Sequence, residues 1–208
     1  IAIACLGDSI TAGHPSFWAE TGTGDPKSQY QYWLDKRLKG EFNVINKGYG
    51  QEKTVDMLER FDRDILPLDP RYCIILGGTN DWYNDASTKD LATGYTVMDG
   101  AIENITEIVK KCWDNGIYPI ICTLTPRNDI TEDGKILFTY FNDWVKTFAT
   151  EQSIAGKECA YIDMFNAGKN FDPQEPLEDP ENPYKLNPLY DYVKYIVRYS
   201  WKLCSVCL

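Results

Sequence analysis

Ile1-Ala2-Ile3-Ala4-Cys5-Leu6-Gly7-Asp8-Ser9-Ile10-Thr11 is the stretch whose reading decides the fold. Six apolar residues in a row, without polar alternation, describe a strand buried on both faces, as in a parallel sheet covered by helices. The run stops at Gly7-Asp8-Ser9, which sets the serine at the carboxyl edge of that sheet, where open α/β sheets form their crevices. A serine in that place is either a nucleophile or a helix cap, because Ser, Thr and Asp are all favoured at helix starts. A second apolar run, Tyr72-Cys73-Ile74-Ile75-Leu76, ends in the same manner at Gly77-Gly78-Thr79-Asn80-Asp81. The repetition favours a site over a cap.

Outward from these two runs, strand and helix patterns alternate. Strands are expected over 1–6, 42–46, 71–77, 117–123 and 159–163, and helices over 28–39, 54–65, 96–114 and 136–151. Val97, Ala101, Ile105, Ile108 and Cys112 recur at helical spacing, as do Leu137, Phe141, Trp144 and Phe148. Gly116 supplies a stop after the former. Such alternation implies an α/β fold, with a parallel sheet between helices and right-handed crossovers. Residues 1–208 read as one domain, without internal repeats.

The two strand-end motifs resemble the SGNH, or GDSL-type, serine hydrolase superfamily. Gly7 to Thr11 is similar to its first block, which carries the nucleophile, here Ser9. Gly78-Thr79-Asn80-Asp81 is similar to its Gly-x-Asn-Asp block, whose asparagine, here Asn80, helps bind the oxyanion. Asn46-Lys47-Gly48-Tyr49-Gly50-Gln51-Glu52-Lys53-Thr54 resembles the block between them, in which a glycine N–H completes the oxyanion hole. A gapless reading sets Gln51 at that glycine, with Gly50 one step earlier. Gly50 is the expected donor, because glycine allows the strained turn such a donor needs. The resemblance implies a three-layer sandwich with a five-stranded parallel sheet in the flavodoxin-like order 2-1-3-4-5. It also implies a small-molecule ester substrate and no cofactor.

The end of the chain departs from the family. An Asp-x-x-His block there supplies the base and its orienting carboxylate, yet this chain has one histidine, His14. Tyr184 and Asn187 could fall in the acid and base positions. Asp191-Tyr192-Val193-Lys194 is preferred, because Leu186 to Tyr190 resembles a segment that often precedes the block. It keeps Asp191 as the carboxylate and puts Lys194 in the base position. A lysine acts as a base at neutral pH only if burial lowers its pKa by roughly three units. His14 follows Ser9 by five residues, a helical spacing that aims it away from the nucleophile, and it is expected at the site rim. Some codon choices for Arg198 to Lys202, read one nucleotide later, encode Asp-Ile-His-Gly, the trace a frame-shifted tail would leave. Two functions therefore stay open: an esterase with Ser9 as nucleophile, or a relative that binds a sugar or acyl ligand without turnover.

Composition narrows the classes further. The balance of 21 basic against 31 acidic residues gives a net charge of −10, which argues against nucleic acid and anionic membrane surfaces as partners. No run of 18 apolar residues is present, so no span is expected. Without a signal-like segment the chain reads as cytoplasmic, although it begins inside the first strand and a leader could precede it. Seven cysteines at scattered spacing suit reduced packing residues, Cys5, Cys73 and Cys122 falling inside central strands. Cys204-x-x-Cys207 stands alone, and with a single histidine the usual His-rich zinc chemistry is excluded. Residues 12–27 and 165–191 read as loops flanking the site. Trp18, Trp82 and Tyr83 offer flat faces suited to sugar rings or acyl chains, or else simply cover the sheet edge.

Overall fold

The computed structural model describes residues 1–127 and 129–169. Five strands form one parallel sheet: β1 (Ala2–Gly7), β2 (Asn43–Gly48), β3 (Tyr72–Leu76), β4 (Tyr118–Cys122) and β5 (Ala160–Ile162). Their order is β2-β1-β3-β4-β5, the expected 2-1-3-4-5. The principal helices are α1 (Tyr30–Arg37), α2 (Thr54–Asp64), α3 (Leu91–Asp114) and α4 (Glu132–Ile154).

Alternation of side chains across β1 and β3 divides the core into two halves. Ala4, Leu6, Cys73 and Ile75 face one side, where Met57 and Phe61 of α2, Ile105 and Ile108 of α3, and Phe138 and Phe141 of α4 close over them. Ile3, Cys5, Ile74 and Leu76 face the other, against Tyr30 of α1 and Met164. Phe61, Phe138 and Phe141 are at most 1% exposed. Burial on that scale contributes about 2–3 kcal/mol for each ring. Cys5, Cys73, Cys112, Cys122 and Cys159 are free thiols inside this core. Burial raises the thiols of Cys5 and Cys122 far above their ordinary value, and that of Cys159 to about 11.

Capping residues explain where the long helices begin. α3 starts five residues before the expected 96 because Asp90 caps it, its carboxylate accepting from Thr93 N at 3.0 Å. α4 starts at Glu132 because Thr131 Oγ1 accepts from Gly134 N at 3.1 Å. β2 runs two residues past the expected 46, as Lys47 and Gly48 pair with Leu6 and Gly7. Within the expected loop 12–27, Phe17–Trp18 and Thr23–Gly24 form a short antiparallel hairpin. Among the described residues no helix is long and apolar enough to cross a membrane.

Candidate active site

The register of the central strands brings the motifs together. Gly7 pairs with Gly48 on one side and with Leu76 on the other, so all three blocks begin at the same level of the sheet's carboxyl edge. Gly7 must be glycine, since a Cβ there would lie 2.6 Å from Leu76 O. Asp8 then leaves the strand in an extended conformation and caps a single turn, Ser9–Ala12, by accepting from Ile10 N at 2.9 Å. Ser9 is the first residue of that turn and is half-buried. A serine at this strand end could serve as nucleophile or as cap. In the fold the cap is Asp8.

The second block approaches this turn closely. A Cβ on Gly48 would lie 2.2 Å from Ala12 N, so β2 can approach only as glycine. Asn46 fastens the contact, donating to Gln29 Oε1 at 2.7 Å and Ala12 O at 3.3 Å while accepting from Gly48 N at 2.8 Å. Beyond it the structure departs from the argument made for Gly50. The residue in the left-handed region is Gln51, with φ of 65°, and Gly50 does not share it. Furthermore, the Gly50 N–H donates to Glu20 Oε1 at 2.7 Å. The strained turn thus falls where the gapless alignment sets it, on a non-glycine residue.

The third block locks onto the second. Gly78, with φ of 113°, turns the chain out of β3 and into the short helical turn Thr79–Asp81. Asn80 Nδ2 donates to the main-chain carbonyl of Glu52 at 2.8 Å. Asp81 accepts from Thr54 Oγ1 at 2.6 Å and from Thr54 N at 3.0 Å. Burial raises the Asp81 carboxyl, with the Thr54 bonds opposing the shift. Asp8 feels burial still more strongly and is raised to about 7, with Asp81 and Glu52 adding repulsion and Arg127 offsetting part of it. Ser9 therefore sits beside a crowd of carboxylates, one of which titrates near neutrality.

His14 lies at the rim. Its Nε2 is 3.2 Å from Glu20 Oε2, its ring packs on Trp18 at a centroid distance of 4.0 Å, and its Cε1 abuts Gly50. Of the aromatic residues considered for substrate contact, Trp82 is 2% exposed and packs edge-on against Phe138, so it covers the sheet edge. Trp18 and Tyr83 are about half exposed, and the Arg127 guanidinium stands 5.1 Å over the Tyr83 ring. Arg127 and the buried Arg60 at this edge were not singled out in the sequence. The signal for Arg60 was present, namely a cation on the apolar stripe of α2 between Met57 and Phe61. No group of three potential metal ligands occurs among the described residues. Asp191, Lys194, Tyr184, Asn187 and Cys204-x-x-Cys207 lie outside the described residues.

Comparison with known proteins fits this geometry. The chain is 30% identical over 141 residues to the uncharacterized lipoprotein YqeF of Bacillus subtilis (strain 168), covering 67% of this chain and 54% of that protein. It thus spans about half the length of that relative. Among solved structures, the acetyl xylan esterase AlAXEase superposes with a TM-score of 0.65 at 20% identity, covering 97% of this chain and 99% of that one. A member of the lipolytic protein G-D-S-L family from Veillonella parvula DSM 2008 gives 0.66 at 17% identity, covering 98% of each chain. The lipase/acylhydrolase from Enterococcus faecalis gives 0.63 at 18%, covering 97% and 96%. These likenesses concern the fold. The model of the GDSL-like lipase/acylhydrolase family matches residues 5–191, and the chain belongs to that family.

Proposed function

We propose that the protein is a serine esterase that cleaves small carboxylic esters through an acyl-enzyme on Ser9. The observation that carries this is the Asn80 amide. One of its two hydrogens is fixed on Glu52 O at 2.8 Å, which leaves the other for a developing oxyanion beside the turn that bears Ser9. The Ser9 N–H, at the start of its helical turn, has no intrahelical acceptor and is the second donor. For the third we choose Gln51 over Gly50, because the Gly50 N–H already serves Glu20. Ser9 attacks the ester carbonyl, the alcohol leaves, and water releases the acid. Exposed Trp18 and Tyr83 favour acetylated carbohydrate or short acyl esters, and the likeness to an acetyl xylan esterase agrees with that choice.

A proton acceptor for Ser9 is the open element. Asp191 and Lys194 are our candidates for the orienting carboxylate and the base. Hydrolysis of p-nitrophenyl acetate by the parent chain beside Ser9→Ala tests the proposal: a rate lost in the variant supports it, and equal rates sink it. Lys194→His and Asn187→His in the same assay separate the two placements of the final block. A working base is worth roughly 10²–10⁴-fold, so the correct placement should raise the rate visibly.

A second reading, ligand binding without turnover, is favoured by one observation. The only histidine holds its Nε2 against Glu20 and its ring against Trp18. If the parent is no faster than Ser9→Ala and neither histidine variant exceeds it, this reading prevails. The likeness to a lipoprotein supports an exported upstream segment over the cytoplasmic location, which fractionation of the source cells decides.

A further inference from the structure

We infer that Arg60 is a positioning residue for the oxyanion site, holding the three blocks in one arrangement; this rests on the esterase proposal. Arg60 is 4% exposed and lies on the inner stripe of α2, next to fully buried Phe61. Its guanidinium bonds the first and second blocks directly and reaches the third through Glu52. Nη2 donates to Gly7 O at 3.2 Å, two residues before Ser9, and to Lys47 O at 2.8 Å, at the end of β2. Nε donates to both carboxylate oxygens of Glu52, at 2.9 and 2.8 Å. The main-chain carbonyl of that same Glu52 holds the Asn80 amide. Nη1 completes the set on Asp64 Oδ2 at 3.2 Å, and the Tyr49 ring lies 4.3 Å beneath the guanidinium.

The fold alone gives little reason for a charge here. Met57 and Phe61 show that this stripe of α2 packs well with apolar side chains, and replacing a buried ion pair by such residues is often neutral or stabilising. What an apolar residue cannot do is bind two carbonyls and a carboxylate in fixed directions. The planar fork of arginine does so, and lysine, with one nitrogen, cannot reach all of them. Burial pushes the Glu52 carboxyl up and Arg60 opposes the shift, consistent with a carboxylate held in place by this cation. The chain of contacts runs Arg60, Glu52, Asn80, so a loosened Arg60 lets the oxyanion donors drift relative to Ser9.

The test is binding of phenylboronic acid to the full chain. The Ser9 hydroxyl adds to boron, its proton passes to solvent, and the tetrahedral boronate carries the negative charge where the oxyanion would form. No catalytic base is needed at equilibrium. Arg60→Lys and Arg60→Met should weaken this adduct about tenfold or more, a loss on the scale of a misplaced oxyanion donor. Glu52→Gln, which keeps an acceptor for Nε, should weaken it less. In a Ser9→Ala background, where only ground-state binding remains, the same substitutions should change nothing. Equal losses in both backgrounds, or unchanged affinity in Arg60→Lys, would overturn the inference and leave Arg60 a residue of the core.

If parent and Ser9→Ala bind alike, the esterase proposal fails by itself. Exchange of the Asn80 side-chain amide then decides the positioning role. It should accelerate about tenfold in Arg60→Lys, by the loss of a held hydrogen bond, while the distant Leu124 N–H keeps its protection. Unchanged Asn80 exchange would overturn the inference. Should Arg60→Met fail to fold, Arg60→Lys and Glu52→Gln carry the same readouts.

Discussion

Two carboxylates grip the same segment from opposite sides, and they illustrate how burial changes one kind of bond. Asp81 accepts the N–H of Thr54 from within the fold, and Glu20 accepts the N–H of Gly50 from the hairpin side. The bonds are alike in type and lie four residues apart. Asp81 is 6% exposed, whereas the Glu20 side chain is 30% exposed. Burial dominates at Asp81 and lifts its carboxyl above the ordinary range. At Glu20 burial also raises, but the Gly50 N–H and His14 outweigh it and the carboxyl falls below that range. One clamp is therefore structural and costly to break, and the other is an adjustable strap.

The largest effect is expected from removing the inner clamp. Asp81→Ala leaves the Thr54 N–H and hydroxyl without a buried acceptor, which should cost about 2–4 kcal/mol in chemical denaturation. Loss below 1 kcal/mol would show that water reaches Thr54 and that the two clamps do not differ.

The next effect extends the contrast to Asp8, which is more deeply buried than either. Its carboxyl is raised to about 7 in the fold, against an unfolded value near 4. Between those values the folded state binds more protons than the unfolded one, so stability falls as pH rises through that window. Asp8→Asn keeps an acceptor for Ile10 N and removes the charge. It should stabilise by about 1–3 kcal/mol at pH 8 and by little at pH 4. A pH-independent difference would break the assignment.

Glu20→Ala is expected to be milder, below about 1 kcal/mol, as for exposed ion pairs. Because the folded carboxyl lies below its ordinary range, that contribution is present at neutral pH and disappears as pH falls through the folded value. Gly50 amide exchange should quicken in this variant, while the Thr54 amide stays protected. The smallest effect is expected at Gln51. With φ of 65°, Gln51→Gly relieves left-handed strain and should stabilise by up to about 1 kcal/mol.

The centre of the sheet was legible because β1 and β3 are two-sided apolar runs whose ends are marked by Gly7 and Gly77-Gly78. Ser9 and Asn80 were legible for the same reason, since a polar cluster at such an end has few other uses. The starts of α3 and α4 lie before the expected ones, because Asp90 and Thr131 are short polar residues outside the apolar periodicity. Glycine at position 50 suggested a left-handed turn there, but the left-handed residue is Gln51, between Gly50 fastened to Glu20 and Glu52 fastened to Arg60. Arg60 and the Asp81–Thr54 bond were hidden for another reason. Their partners lie 13 to 53 residues away for the carbonyls, and 27 residues away for Thr54, and no local pattern encodes such pairings.

The five buried thiols have a practical consequence. A thiol enclosed in the core is out of reach of alkylating reagents, which react with an accessible thiolate. Each cysteine therefore becomes reactive only when its own part of the molecule opens. Cys5 and Cys73 report separation of the two central strands, Cys112 the lifting of α3, and Cys122 the loosening of β4. With Cys204 and Cys207 replaced by serine, timed alkylation followed by peptide mapping would give an opening free energy for each layer, without any introduced label.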